Sequence, residues 1–188
     1  MKIILGSQSP RRRELLAGLD IAFDIVDIHA DESYPASLQG GDIPIYIARA
    51  KAEAYQPHLQ PNELLITADT IVWCDGQMMG KPKDVSDARQ MLRHLSGKTH
   101  QVYTAVCFAQ QGAITEVVDQ TDVTFRALTE EEIDYYITHY QPFDKAGAYG
   151  IQEWIGYIGC TALNGSYFNV MGFPVEKVYA YLQAIHIN

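Results

Sequence analysis

Strand-length apolar runs alternate with helix signals through the first half of the chain, and two long β-rich runs separated by a glycine turn follow in the middle. Interleaved strands and helices favour parallel pairing, whereas a hairpin pairs antiparallel, so the two patterns together predict an α/β fold with a mixed twisted sheet and flanking helices. Two lobes around a cleft follow if the hairpin and the helix after it pack as a unit beside the first strands. At 188 residues, without repeats, low-complexity tracts or linkers, the chain is expected to form a single domain over 1–188.

The first turn organises the rest. Ile3-Ile4-Leu5 reads as a buried strand, and after Gly6-Ser7-Gln8-Ser9 comes Pro10, suited to the first position of a helix. Ser9 is the expected N-cap. The start of a helix leaves N–H groups unpaired and carries the positive end of its dipole, and Arg11, Arg12 and Arg13 add three cations there. The stretch therefore reads as a phosphate site or as a cap with a solvated basic face. Gly6 would let a ligand approach the backbone.

Phe23 to Ile28 alternates like a half-buried strand and leads into an acidic loop with Asp31 and Glu32. Asp42 is the expected cap of a helix to about Tyr55, with Lys51 placed to turn one cation inward. Leu64 to Ala68 is a buried-strand run that continues past Asp69-Thr70 through Ile71 to Cys74, and Asp75-Gly76 signals a hairpin. An ionisable residue inside so apolar a segment needs a reason. Gly80-Lys81-Pro82 is a rigid turn that fixes one lysine, and Ser86 is read as capping a helix to Leu95 that Gly97 ends.

Gln101–Ala109 and Ile114–Phe125 form the long hairpin. Thr129 and Glu132 make a capping box for a structural helix to His139. Residues 144–152, small apart from Asp144 and Lys145, read as a loop lining a site. The last helix starts at Pro174 and puts Val175, Val178 and Leu182 on one face.

The net charge of −9 disfavours nucleic acid and anionic membrane surfaces as partners, since both require an extended basic face. Cys74, Cys107 and Cys160 are odd in number, lie in apolar runs and lack metal-ligand spacing, so they read as buried free thiols in a reducing compartment. No stretch reaches membrane-spanning length and no signal peptide is apparent, which predicts a cytoplasmic protein. The six histidines, without ligand spacing, read as surface or satisfied residues, and the clustered tyrosines as helix packing.

One helix start with three arginines, Lys51 and Lys81, and the carboxylates Glu32 and Asp69 together suggest phosphoanhydride chemistry. Cations neutralise phosphates, while carboxylates hold a hard divalent ion and activate water. Taken in order, Ser-x-Ser-Pro-Arg-Arg at 7–12, Ala-Asp-Thr at 68–70, Gly-Lys-Pro at 80–82, Tyr-Thr-Ala-Val at 103–106, Asp-Lys-Ala-Gly-Ala-Tyr-Gly-Ile-Gln at 144–152 and Gly-Ser-Tyr at 165–167 resemble the Maf family of nucleoside triphosphate pyrophosphatases. The resemblance implies a fold similar to inosine triphosphate pyrophosphatases and hydrolysis of a nucleoside triphosphate to monophosphate and pyrophosphate with Mg²⁺ or Mn²⁺.

It also implies roles. Asp69 would be the general base and, with Glu32, a metal ligand; Ser7, Arg12, Arg13, Lys51 and Lys81 would bind the triphosphate. Arg11, Thr70 and Gln152 resemble the dTTP/UTP branch of the family, and a homodimer is the family-style assembly. Glu153-Trp154 departs from the small residues common in relatives. The alternatives are a nucleotide-binding regulator of cell division without turnover, a general phosphatase releasing orthophosphate, and a related enzyme for another or a modified nucleotide.

Overall fold

The computed structural model describes residues 1–186; the last two residues of the expected 1–188 domain lie outside the described residues. Seven strands form one mixed sheet: β1 (Lys2–Leu5), β2 (Phe23–Ile25), β3 (Glu63–Cys74), β4 (Gln77–Met79), β5 (Thr99–Gln110), β6 (Ala113–Phe125) and β7 (Cys160–Asn164). Their order is β2-β1-β3-β5-β6-β7, with β4 paired to β3. β1 runs parallel to both β2 and β3, whereas β4 and β7 run antiparallel to their neighbours. The helices are α1 (Pro10–Ala17), α2 (Asp42–Tyr55), α3 (Val85–Leu95), α4 (Glu130–Tyr140), α5 (Trp154–Gly159), α6 (Tyr167–Val170) and α7 (Val175–Ala184). The mixed α/β class read from the sequence is the one observed.

The chain divides into two compact units, with boundaries at Asp69/Thr70, Tyr103/Thr104, Asp119/Gln120 and Met171/Gly172, the first three inside β3, β5 and β6. In the first unit the period of a strand sets the layers. Ile3, Leu5, Leu64 and Ile66 point to one face and pack with Leu16 of α1 and with Val178 and Leu182 of α7. Ile4 and Leu65, one residue out of step, point to the other face and pack with Ala48 and Ala52 of α2. β1 and β3 are buried on both faces, which is why they read as unbroken apolar runs. The second unit has its own core, built from Val72 and Cys74 of β3, Leu92 and Leu95 of α3, Val102, Val123 and Phe125 of the long strands, and Ile133, Tyr136 and Ile137 of α4.

Local signals account for several boundaries and mislead at others. Ser9 caps α1, its side chain accepting from the Arg12 N–H, and Thr129 with Glu132 completes the capping box of α4. Asp42 is the first residue of α2, preceded by Gly41 without a side-chain cap, and Asp84 rather than Ser86 caps α3 by accepting from the Asp87 N–H. Pro174 precedes α7 as its cap, and β2 stops at Ile25. Gly6 serves packing: a Cβ there would lie 2.5 Å from Ile28 Cδ1 and 3.1 Å from Thr67 Cγ2. Sequence reading found neither α5 nor β7. Their tight joint to the preceding segment depends on Gly156, where a Cβ would fall 1.9 Å from the Ile151 carbonyl oxygen.

The cysteines are free, with Cys74 and Cys107 buried and Cys160 only partly so. The histidines are not all surface or satisfied. His100 is fully buried, sits edge-on to Phe125, and shares a 2.8 Å hydrogen bond between Nε2 and the Tyr149 hydroxyl, while its Nδ1 has no hydrogen-bond partner among the described residues. Burial disfavours the imidazolium and pushes the pKa of His100 down to about 4.

That burial has a sign in the stability curve. The unfolded imidazole titrates near 6.5, so the unfolded chain takes up the proton first, and stability present above about pH 6.5 is lost as the pH falls towards about 4. The loss amounts to at most about 3 kcal/mol. Urea unfolding at a series of pH values should show this decline in the parent and a shallower one in His100→Gln; equal declines would remove His100 from the acid response.

Candidate active site

In the first unit, four segments bring charged side chains to the end of the buried half of β3. The strand delivers Asp69. Two residues earlier on the same face, the buried Thr67 hydroxyl donates to the Ala48 carbonyl of α2 at 2.7 Å. That bond fixes the register of helix against strand, and Lys51, one turn beyond Ala48, meets Asp69 as a consequence. Lys51 Nζ lies 2.9 Å from Asp69 Oδ1 and 2.8 Å from Glu32 Oε1. Lys51 and Asp69 are mostly buried, with side chains 13% and 16% exposed, while Glu32 reaches in from an open loop at 57%.

Arg12 closes the other side. Its Nε donates to the Gly172 carbonyl at 2.9 Å, and its Nη1 donates to the Ala68 carbonyl at 2.8 Å and to Ser7 Oγ at 3.4 Å. The guanidinium thus ties the first turn of α1 to the residue before Asp69 and to the approach to α7. Burial lowers the pKa of Arg12, against which the charges of Asp69 and Glu32 raise it. An arginine so placed remains a cation.

The run of three arginines separates as helix geometry requires. Arg13 turns to the side chain of Gln8, and Arg11 is half-buried. Ser7 Oγ accepts from the Ser9 N–H at 3.2 Å, joining the loop to the cap. Of the residues read from the sequence, the fold brings Ser7, Arg12, Glu32, Lys51 and Asp69 into one bonded and electrostatic set.

The second unit holds Thr70, Lys81 and Gln152. Thr70 follows Asp69 on β3 and is half-buried. Lys81 is exposed on its turn, and the carbonyl of Gly80 accepts from the Gly147 N–H at 3.0 Å, linking that turn to the segment that ends at Gln152. Gly147 has a φ of +67° and would bring a Cβ to 2.9 Å from Val72, so the link requires glycine. Ala148, Tyr149 and Ile151 belong to the core, so residues 144–152 form a core-packed segment and not an open loop.

A charge network that sequence reading missed holds this segment. Lys145 Nζ lies 2.7 Å from Asp144 and 3.1 Å from Glu153; the Tyr136 hydroxyl donates to Glu153 and accepts from the Gly150 N–H at 3.0 Å. The Gln152 amide and the Glu153 carboxylate fold over Gly150, where a Cβ would come within 3.1 Å and 2.9 Å of them. Glu153 is therefore an anchor of the backbone beside Gln152.

Two carboxylates held within hydrogen-bond distance of one ammonium are hard oxygen donors that converge on a single point of positive charge. They fit a Mg²⁺ or Mn²⁺ ion, which selects such donors. With a guanidinium alongside, the set has the constituents of phosphoanhydride hydrolysis.

The chain belongs to the Maf-like protein family, which it matches over residues 2–185. It is 56% identical over 185 residues to the dTTP/UTP pyrophosphatase of Phocaeicola vulgatus, covering 98% of this chain and 96% of that protein. To the dTTP/UTP pyrophosphatase of Bacteroides fragilis it is 54% identical over 185 residues, with the same coverage. Among solved structures, the Ham1 protein of Staphylococcus aureus shares the fold with a TM-score of 0.57 at 14% identity, over 98% of this chain and 100% of that one.

Proposed function

We propose that this protein is a nucleoside triphosphate pyrophosphatase that hydrolyses dTTP and UTP to the monophosphate and pyrophosphate. The observation that supports this most is the pairing of Glu32 and Asp69 through Lys51 beside the half-buried guanidinium of Arg12, in a chain 56% identical to a dTTP/UTP pyrophosphatase. In this reading the whole chain acts as one catalytic domain, works in the cytoplasm, takes a nucleoside triphosphate as its partner and assembles as a homodimer.

In the reaction, Asp69 takes a proton from water, the water oxygen bonds to the α-phosphorus, and the bond from that phosphorus to the oxygen bridging to the β-phosphate breaks, releasing pyrophosphate. Glu32 and Asp69 would hold the divalent ion, which supplies neutralisation of the phosphate charge. Lys51 keeps the two carboxylates oriented before substrate arrives and contributes its charge to the phosphates, together with Ser7, Arg12, Arg13 and Lys81. Stabilising charge that builds on the leaving pyrophosphate lowers the barrier more than it tightens substrate binding.

Arg11, Thr70 and Gln152 are assigned to the base. Uracil and thymine present two carbonyl acceptors around one N–H donor; a glutamine amide accepts from that N–H and donates to one carbonyl, and an arginine donates to the other. The test is kcat/KM for dTTP, UTP, CTP, dGTP and 7-methyl-GTP in the parent and in Gln152→Glu. The parent should favour dTTP and UTP. The variant, having exchanged a donor for an acceptor, should lose about 1–3 kcal/mol of that preference, or roughly 5–150-fold. A parent that favours 7-methyl-GTP, or a variant with an unchanged ranking, contradicts the assignment to the base.

A further inference from the structure

In the second unit, the end of β3, the turn after it and the last turn of α3 bring together three residues of different donor chemistry. Cys74 Sγ, a carboxylate oxygen of Asp75 and a ring nitrogen of His94 all lie within 4.8 Å of one another. Each is held by a rigid element. Asp75 and Gly76 have φ of +51° and +77° in a two-residue turn that pairs Cys74 with Gln77, and α3 is anchored by the buried Leu92 and Leu95.

A second observation is independent of the clustering. His94 Nε2 is closed off from solvent and, among the described residues, makes no hydrogen bond, although it faces Asp75 Oδ2 at 3.2 Å. A ring nitrogen enclosed against a carboxylate oxygen without a hydrogen bond to it forms with that oxygen a pair of donors that a cation placed between them would satisfy. Positive charge already collects at this point: Lys98 Nζ lies 2.6 Å from the same Asp75 oxygen.

We propose that Cys74, Asp75 and His94 bind a thiophilic divalent cation, with Zn²⁺ as the fitting ion, and that the ion clips the β3–β4 turn to the end of α3. One sulfur, one imidazole nitrogen and one carboxylate oxygen make a donor set for zinc and a poor one for Mg²⁺. Binding releases the Cys74 thiol proton to solvent as the thiolate bonds to the metal, and Lys98 leaves Asp75. Zinc bonds of about 2.0–2.3 Å require the three donors to close by roughly an ångström, within reach of side-chain rotation. Water completes the fourth position.

The test titrates chelator-stripped protein with Zn²⁺ alone against a chromophoric zinc indicator. The set comprises the parent, Cys74→Ser, Cys74→Ala, His94→Ala and, as a control for the carboxylates of the first unit, Glu32→Gln. The parent should bind one Zn²⁺ per chain that is retained in Glu32→Gln, and unfold at a higher temperature with it, since an ion that binds the folded chain stabilises it. Each substitution at Cys74 or His94 should weaken binding by at least the roughly 10–100-fold that loss of a supporting ligand contact costs, and Glu32→Gln should leave it unchanged. With Co²⁺ the parent should show a thiolate charge-transfer band that Cys74→Ser lacks, provided circular dichroism shows both folded. A parent that binds no Zn²⁺, equal affinity in the Cys74 and His94 variants, or a cobalt spectrum without the thiolate band overturns the proposal.

Discussion

Asp69→Asn is expected to fold as the parent does and to hydrolyse dTTP about 10²–10⁴-fold more slowly, the usual contribution of a general base. The substitution keeps the shape of the side chain but removes the proton acceptor and half of the charge that Lys51 holds between Asp69 and Glu32. Asp69 is the better candidate for the base because it stands on a buried strand whose register is fixed by the Thr67–Ala48 bond, while Glu32 sits on an open loop and is more than half exposed. Glu32→Gln should therefore act chiefly by raising the metal concentration required for turnover. Steady-state rates for both variants over a range of Mg²⁺ and Mn²⁺, with circular dichroism to verify folding, separate the two roles. Near-parent turnover by Asp69→Asn would remove it from the mechanism.

Arg12→Ala is expected to lower kcat/KM by about 10²–10³-fold, the scale of removing one preorganised electrostatic donor. The loss has two parts. One positive charge disappears from the proposed phosphate-binding set, and the carbonyls of Ala68 and Gly172 lose the donors that fix the residue before Asp69. Arg12→Lys restores the charge without the planar fork and should recover only part of the rate. Arg13→Ala, which breaks a contact with the exposed Gln8, should cost much less. Equal losses at Arg12 and Arg13 would mean that the charge of the run matters and the positioning by Arg12 does not.

The parts of this protein that were legible in the sequence are those whose cause is local. A serine before Pro-Arg-Arg names its own helix start, a Thr-x-x-Glu box names another, and apolar runs buried on both faces name β1 and β3. Where two local signals competed, reading failed: Asp84 and Ser86 both suit a cap, and it is Asp84 whose carboxylate accepts from the N–H three residues on. Gly6 was read as room for a ligand because a glycine does not say which neighbour needs the space, and that neighbour is Ile28.

The site was legible as a set of residue types and not as a set of contacts. The sequence offers Lys51 as a cation; the pairing of helix and strand makes it the link between two carboxylates. Glu153 and Tyr136 stand on either side of a connection, and Cys74 and His94 lie at the ends of different elements, so no spacing rule could have joined them. Only the sheet and its helices set those distances.

The most direct test of the proposed activity is phosphorus NMR of the products formed from dTTP with Mg²⁺ by the purified protein. Attack at the α-phosphorus predicts dTMP and pyrophosphate in equal amounts with no orthophosphate. Orthophosphate with dTDP would instead show a general phosphatase, and unchanged dTTP after prolonged incubation with Mg²⁺ or Mn²⁺ would show a nucleotide-binding protein without turnover; either contradicts the pyrophosphatase assignment.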